Sequence, residues 1–127
     1  MKEILAFIRM NKINPTKQAL LEAGYPAMTC RNCMGRGKQT FNMELVEAIS
    51  SEDLPLAKGE TLLEAIRLFP KRYINMFVQN EDVNKIINII MDANSTGNPG
   101  DGKIFVLPVI ESLRVRDGSL QNDNDSY

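Results

Sequence analysis

The 127-residue sequence predicts an α+β fold of ferredoxin-like type, β-α-β followed by β-α-β around an antiparallel sheet. Three observations carry this: two amphipathic segments with helix punctuation, four apolar segments of strand length, and the alternation of the two kinds along the chain. Residues 2–9 open as a strand, with Ile4, Ala6 and Ile8 on one face and Leu5 and Phe7 on the other. "INPTKQALLEAGYP" follows as a helix, in which Asn14 is the candidate cap, Pro15 suits the first helical position and Gly24 suits the stop. Residues 27–35 read as the second strand. "RLFPKRYINMFV" supplies the third, alternating Ile74, Met76 and Val78 against Tyr73, Asn75 and Phe77.

The second helix has the strongest pattern. Asn80 is its candidate cap, and Glu81 and Asp82 fall in the first turn, where the helix dipole favours acids. Val83, Ile86, Ile87, Ile90 and Met91 then form one wide apolar face, and the helix ends near Asn94. A glycine-rich turn leads into the last strand over 104–109. Two helices cover only one face of such a sheet. Leu5, Phe7 and their neighbours on the other face therefore call for a cover, and assembly of several copies is the economical one.

Two segments stand outside this frame. Residues 36–69 form a long insertion between the second and third strands, where compact domains seldom carry connections above roughly 12–15 residues. "NMELVEAI" and "ETLLEAIRLF" inside it show helical apolar spacing and suit folding on a partner. The tail over 119–127 is polar and expected to be loose. The reading is thus one domain over 1–118 carrying the insertion.

Composition narrows the function. Lys plus Arg is 15 against 16 for Asp plus Glu, which gives no basic surface for nucleic acid and no attraction to an anionic membrane. "MKEILAFIRM" is charged and lacks a long apolar core, so neither a signal peptide nor a membrane span is expected, and the cytoplasm is the expected compartment. The chain contains no histidine, which removes the commonest general base and metal ligand. Cys30 and Cys33 make a C-x-x-C, but on a strand this spacing puts the thiols on opposite faces rather than at a helix N-terminus.

"STGNPGDGKIFVLPV", at 95–109, is the stretch with chemistry in it. Gly100 and Gly102 could simply supply positive φ in a turn. Alternatively they bring bare backbone to an anion, with Lys103 beside them. Arg114 and Arg116, two apart in "LRVR", would point the same way on an extended segment. "GRGKQ" at 35–39 is a second glycine-spaced basic loop. Together these make a polyphosphate cradle, with a bare surface charge cluster as the alternative.

These same stretches resemble the PII family of nitrogen signal-transduction proteins, over residues 1–39 and 70–118. The pattern T-x-x-x-G-D-G-K-I-F-V stands at 96–106, "GRGKQ" is similar to the start of the family's T-loop, and "LRVRDG" to its closing strand. The resemblance implies trimers of ferredoxin-like protomers that bind ATP or ADP in clefts between subunits. Thr29, Gly35, Gly37, Lys38, Gln39, Thr96, Gly100, Asp101, Gly102 and Lys103 would form the nucleotide site, with Arg114 and Arg116 reaching across the interface. Gln39 would hold Mg2+ with ATP, and Gln39 and Lys71 would bind 2-oxoglutarate. By this resemblance the loop senses ATP and does not turn it over.

Several departures bear on that carry-over. Lys38 stands where the family usually has Arg, losing a bidentate phosphate partner, and Asn75 where it usually has Glu. No tyrosine lies between Tyr25 and Tyr73, so the family's uridylylation is not expected, and the surroundings of Ser50 and Ser51 do not resemble its phosphorylated loop. "MKEILAFIRMNKINPTKQALLEAGYPAMTC" and "PKRYINMFV" look most like the PII-like proteins of nitrogenase operons, in particular the second paralogue with the long T-loop. That implies a homotrimer or a hetero-oligomer with the other paralogue, acting on dinitrogenase through the T-loop and released by 2-oxoglutarate with Mg-ATP. The alternatives are a PII regulator of an ammonium channel or glutamine synthetase, or a small phosphohydrolase on the same fold with Asp101 as its nucleophile or water-orienting group.

Overall fold

A computed structural model describes residues 1–37 and 67–120. Its elements run β1 (Lys2–Arg9), α1 (Ile13–Glu22), β2 (Thr29–Gly35), β3 (Phe69–Val78), α2 (Val83–Asn94) and β4 (Gly102–Pro108). The sheet order is β2-β3-β1-β4, and β1 pairs antiparallel with β3 and with β4. This is the split β-α-β arrangement expected. Two compact units are distinguished. Residues 1–33 with 71–127 hold both helices and most of the sheet, and residues 34–70 form the other. The greater part of the insertion, and the tail beyond residue 120, lie outside the described residues.

The period-2 pattern of β1 is realised directly: Ile4, Ala6 and Ile8 are buried beneath the helices with Ile74, Met76 and Val78 of β3. Leu20 of α1 and Ile86 and Ile90 of α2 close the core from above. α1 ends as its sequence suggests. The Gly24 amide donates to the Leu21 carbonyl and the Tyr25 amide to that of Leu20, the paired bonds of a Schellman stop.

Both helix starts differ from expectation. Short 3-10 turns at Met10–Lys12 and Asn80–Asp82 precede the helices, so the flanking residues are Lys12 and Asp82, with no side-chain cap from Asn14 or Asn80. The reason is local: the helical path begins three residues early, shifting the unpaired amides upstream. The apolar face of α2 is also narrower than predicted. Ile86 and Ile90 are buried, and Val83 and Ile89 pack beside them, but Met91 is 52% exposed. Ile87 and Met91 instead line an open groove of about 450 Å3 toward β4, the edge strand of the described sheet.

The stripe of α2 that does face α1 ends in a polar contact. Asn94 Nδ2 donates to Thr16 Oγ1 at 2.9 Å and to the Ile90 carbonyl at 2.8 Å, while the Thr16 hydroxyl donates to the Lys12 carbonyl at 2.7 Å. This buried link fixes α1 against α2 at the same end of the sheet as the glycine-rich loop.

Candidate functional site

β4 begins at Gly102, two residues before its predicted start, so Gly102 and Lys103 belong to the strand and only 95–101 form the loop. Gly102 has φ +126°, and a Cβ there would lie 2.0 Å from the Phe7 carbonyl oxygen. The backbone of β4 therefore approaches β1 more closely at this point than any side chain permits. Gly100 adopts φ +95°.

Asp101 organises the loop from within. Its Oδ2 accepts from the Thr96 amide at 2.7 Å and the Gly97 amide at 3.0 Å, and its Oδ1 accepts from the Thr96 hydroxyl at 2.5 Å. Arg9 adds an ion pair to Oδ1, and its Nη2 donates to the Pro99 carbonyl at 3.1 Å. The Thr96 hydroxyl and amide, then Arg9, hold the Asp101 carboxyl well below the usual carboxylate range. Both carboxylate oxygens are thus occupied by bonds within the loop and by Arg9, which leaves neither turned to a substrate as a nucleophile would be.

The sheet face turned away from the helices carries a banded surface. Arg9 and Lys71 are register partners at its loop end, and Lys71 Nζ donates to the Gly100 carbonyl at 3.2 Å. Phe7, Tyr73 and Phe105 come next: the Phe7 ring lies 5.3 Å from that of Tyr73 and 6.2 Å, edge-on, from that of Phe105. Lys103 Nζ sits 5.5 Å from the Phe105 ring centre. Farther along, Asn75 Nδ2 donates to Glu3 Oε1 at 2.6 Å. Asn75 thus holds a carboxylate from the neighbouring strand rather than presenting one of its own.

Thr96, Gly100, Asp101, Gly102, Lys103 and Lys71 are brought together at this end. Thr29 opens β2 and is exposed, and Gly35 closes it, with Gly37 just beyond. Lys38 and Gln39 lie outside the described residues. The expected closing strand at "LRVRDG" is instead a turn. Leu113 and Leu120 bridge it, Arg114 lies 3.7 Å from Asp117, and Arg116 sits within the turn. Arg114 and Arg116 therefore do not share the extended backbone that would aim them alike. The Arg114 amide donates to the Ser119 carbonyl and the Gly118 amide to that of Arg114, closing the chain on itself, while the Ser119 amide and hydroxyl donate to the Asp117 carboxylate within the turn.

The thiols of the C-x-x-C are free. Cys30 is exposed and Cys33 is turned inward, its Sγ 3.6 Å from the Lys71 carbonyl. Arg9 is the site residue that sequence reasoning missed. Its signal was present: it shares a face with Glu3, Leu5 and Phe7 and ends β1 where Lys71 begins the opposing run.

Chemically, the Gly102 position is filled by the Phe7 carbonyl of β1, and what the loop end offers is cationic side chains: Arg9, Lys71 and Lys103 outnumber Asp101. This donor set suits a polyanion. Among the described residues, no group of three metal-binding side chains converges, and no helix is long and apolar enough to cross a membrane.

Comparison with known proteins agrees with the motifs. The family profile of nitrogen regulatory protein P-II matches residues 1–119. The chain is 43% identical over 120 residues to nitrogen fixation nifHD region GlnB-like protein 2 of Methanothermococcus thermolithotrophicus, covering 93% of each. It is 44% identical over 117 residues to the like-named protein of Methanobacterium ivanovii, covering 91% of this chain and 92% of that one. It is 37% identical over 118 residues to nitrogen regulatory protein P-II 2 of Methanothermobacter thermautotrophicus, covering 93% and 91%.

Proposed function

The chain belongs to the nitrogen regulatory protein P-II family, and from that membership we propose that it senses ATP or ADP together with 2-oxoglutarate and restrains dinitrogenase by direct binding. 2-Oxoglutarate with Mg-ATP, the signal of nitrogen shortage, releases the restraint. The protein acts in the cytoplasm as a trimer, alone or with a paralogue, and does not use ATP as a substrate.

The observation that carries this reading is the loop end of the sheet, where Arg9, Lys71 and Lys103 outnumber the Asp101 carboxylate. The amides around Gly100 and Gly102, with Lys103, hold phosphate oxygens. Thr29, Gly35, Gly37 and Lys38 complete the nucleotide site, and Arg114 and Arg116 come from a neighbouring copy. Mg2+ held by Gln39 offsets phosphate charge and brings the 2-oxoglutarate carboxylate toward Lys71. Asp101 contributes as the brace that shapes the loop. Its occupied carboxylate is one reason for preferring a sensor to a phosphohydrolase. The relatives named for the nifHD region support nitrogen fixation as the setting, and the aromatic face of the sheet, which no element covers among the described residues, supports assembly.

The switch follows from Lys71. Its ammonium now bonds the Gly100 carbonyl, at the position where β3 emerges from the 36–69 insertion. An acid pairing with Lys71 changes what the loop and the insertion's root each hold, and so biases the insertion's conformers. Calorimetric titration of Mg-ATP, with and without 2-oxoglutarate, tests this. Binding strengthened by 2-oxoglutarate is expected, and in Lys71→Ala the strengthening disappears while Mg-ATP still binds. Equal loss of both ligands in that variant, or no binding to the native protein, would overturn the reading.

A further inference from the structure

Asp101 shapes the loop over 95–101 from inside, but nothing in that internal network fixes where the loop sits on the sheet. The Thr96 and Gly97 bonds to Asp101 all fall within the loop itself. Two side chains make the connection: Lys71 gives one bond, to the Gly100 carbonyl at 3.2 Å, and Arg9 gives two. The Arg9 side chain is about three-quarters buried at the end of β1. One guanidinium nitrogen pairs with Asp101 and the other donates to the Pro99 carbonyl at 3.1 Å. The same Nη2 lies 3.4 Å from where a Gly100 Cβ would stand, so the loop backbone is closed down onto the guanidinium.

We propose that Arg9 is the positioning residue for the loop, a planar fork that ties its carboxylate and one of its carbonyls to the end of β1. This deepens the reading of the loop as a phosphate cradle and rests on it. The division of labour is physical. A bent loop with its own carboxylate cap keeps its shape in any position, whereas a cradle works only if its amides stay in register with Lys71 and Lys103, which are carried by β3 and β4. A fork with two donors at fixed angles imposes orientation as well as distance, and an ammonium at the same place imposes distance alone. Arg9 touches no phosphate in this account. It acts through Asp101 and Pro99.

The test compares Arg9→Met and Arg9→Lys with the native protein by amide relaxation, amide exchange and Mg-ATP titration. In Arg9→Met, the order parameters at residues 98–101 are expected to fall from the rigid range of the sheet to below about 0.6. The Thr96 and Gly97 amides stay shielded by Asp101, and the melting temperature stays within a few degrees. Mg-ATP binding weakens by about tenfold, as for loss of a partly exposed charged pair that orients a site. Arg9→Lys recovers less than half of the loop order.

Unchanged order at 98–101 in Arg9→Met would overturn the proposal, as would full recovery in Arg9→Lys. A loss of order spread evenly through β1 and β4 would also overturn it, by showing a general structural role. The relaxation measurement needs no ligand. If the native protein failed to bind Mg-ATP while Arg9→Met lost loop order, the phosphate-cradle reading would fall and the positioning of the loop by Arg9 would stand.

Discussion

Gly102 shows how a single residue ties the site to the fold. Its motif, "GDGK", declares a need for glycine but not the reason, which is the Phe7 carbonyl 2.0 Å from where a Cβ would be. Gly102→Ala is therefore expected to cost at least about 2 kcal/mol, since a strained φ alone accounts for 1–3 and the clash is with backbone rather than a movable side chain. Urea unfolding would show it, and an unchanged midpoint would mean that β4 shifts along β1 at no cost. Tyr25 offers a second residue-scale prediction. The Asp82 carboxylate accepts from its hydroxyl at 2.8 Å and raises its pKa above the ordinary value, with burial adding to this and Lys85 opposing it. A group with a raised folded pKa adds stability below its unfolded pKa and loses it as pH rises through the folded one. Ultraviolet titration should find one tyrosine ionising late, and in Asp82→Asn that midpoint should fall.

At the scale of the element, α2 separates periodicity from contact. Val83, Ile86, Ile87, Ile90 and Met91 satisfy helical spacing equally well on paper. The sheet is finite, however, and the stripe of Ile87 and Met91 extends past β1 toward the β4 edge, where a groove remains. Ile90→Ala is expected to cost roughly 2–5 kcal/mol by opening the core, and Met91→Ala under about 1 kcal/mol. Equal costs would mean that the groove is filled in solution. The helix starts teach the same lesson. Asn14 and Asn80 were reasonable caps on residue type, but each chain segment enters its helix through a 3-10 turn, so neither side chain is at the boundary.

For the whole molecule, the decisive surface is the sheet face away from the helices. Phe7 packs there against Tyr73 and edge-on against Phe105, with no element of their own chain above them among the described residues. Assembly through this face is part of the proposed function, and Phe7→Glu should break it, because association would then bury an unpaired carboxylate. Light scattering would report a smaller species than the native one. An assembly of native size in that variant would place the contacts elsewhere.

The strands, both helices and their order were legible because burial on one side of a sheet writes period 2, and burial on one side of a helix writes period 3.6, directly into local sequence. The need for glycine at 102 was legible because close backbone approach admits few residue types. Arg9 as partner of Asp101, the Asn75 bond to Glu3 and the limit of the α2 face were decided only by tertiary structure. Each depends on which strands are neighbours and in what register, and those pairings join residues some 70–90 positions apart in sequence. The turn at 113–120 likewise follows from bonds among Arg114, Asp117 and Ser119 that compete with extension. Local pattern decides what a segment becomes, and the register between segments decides what its side chains meet.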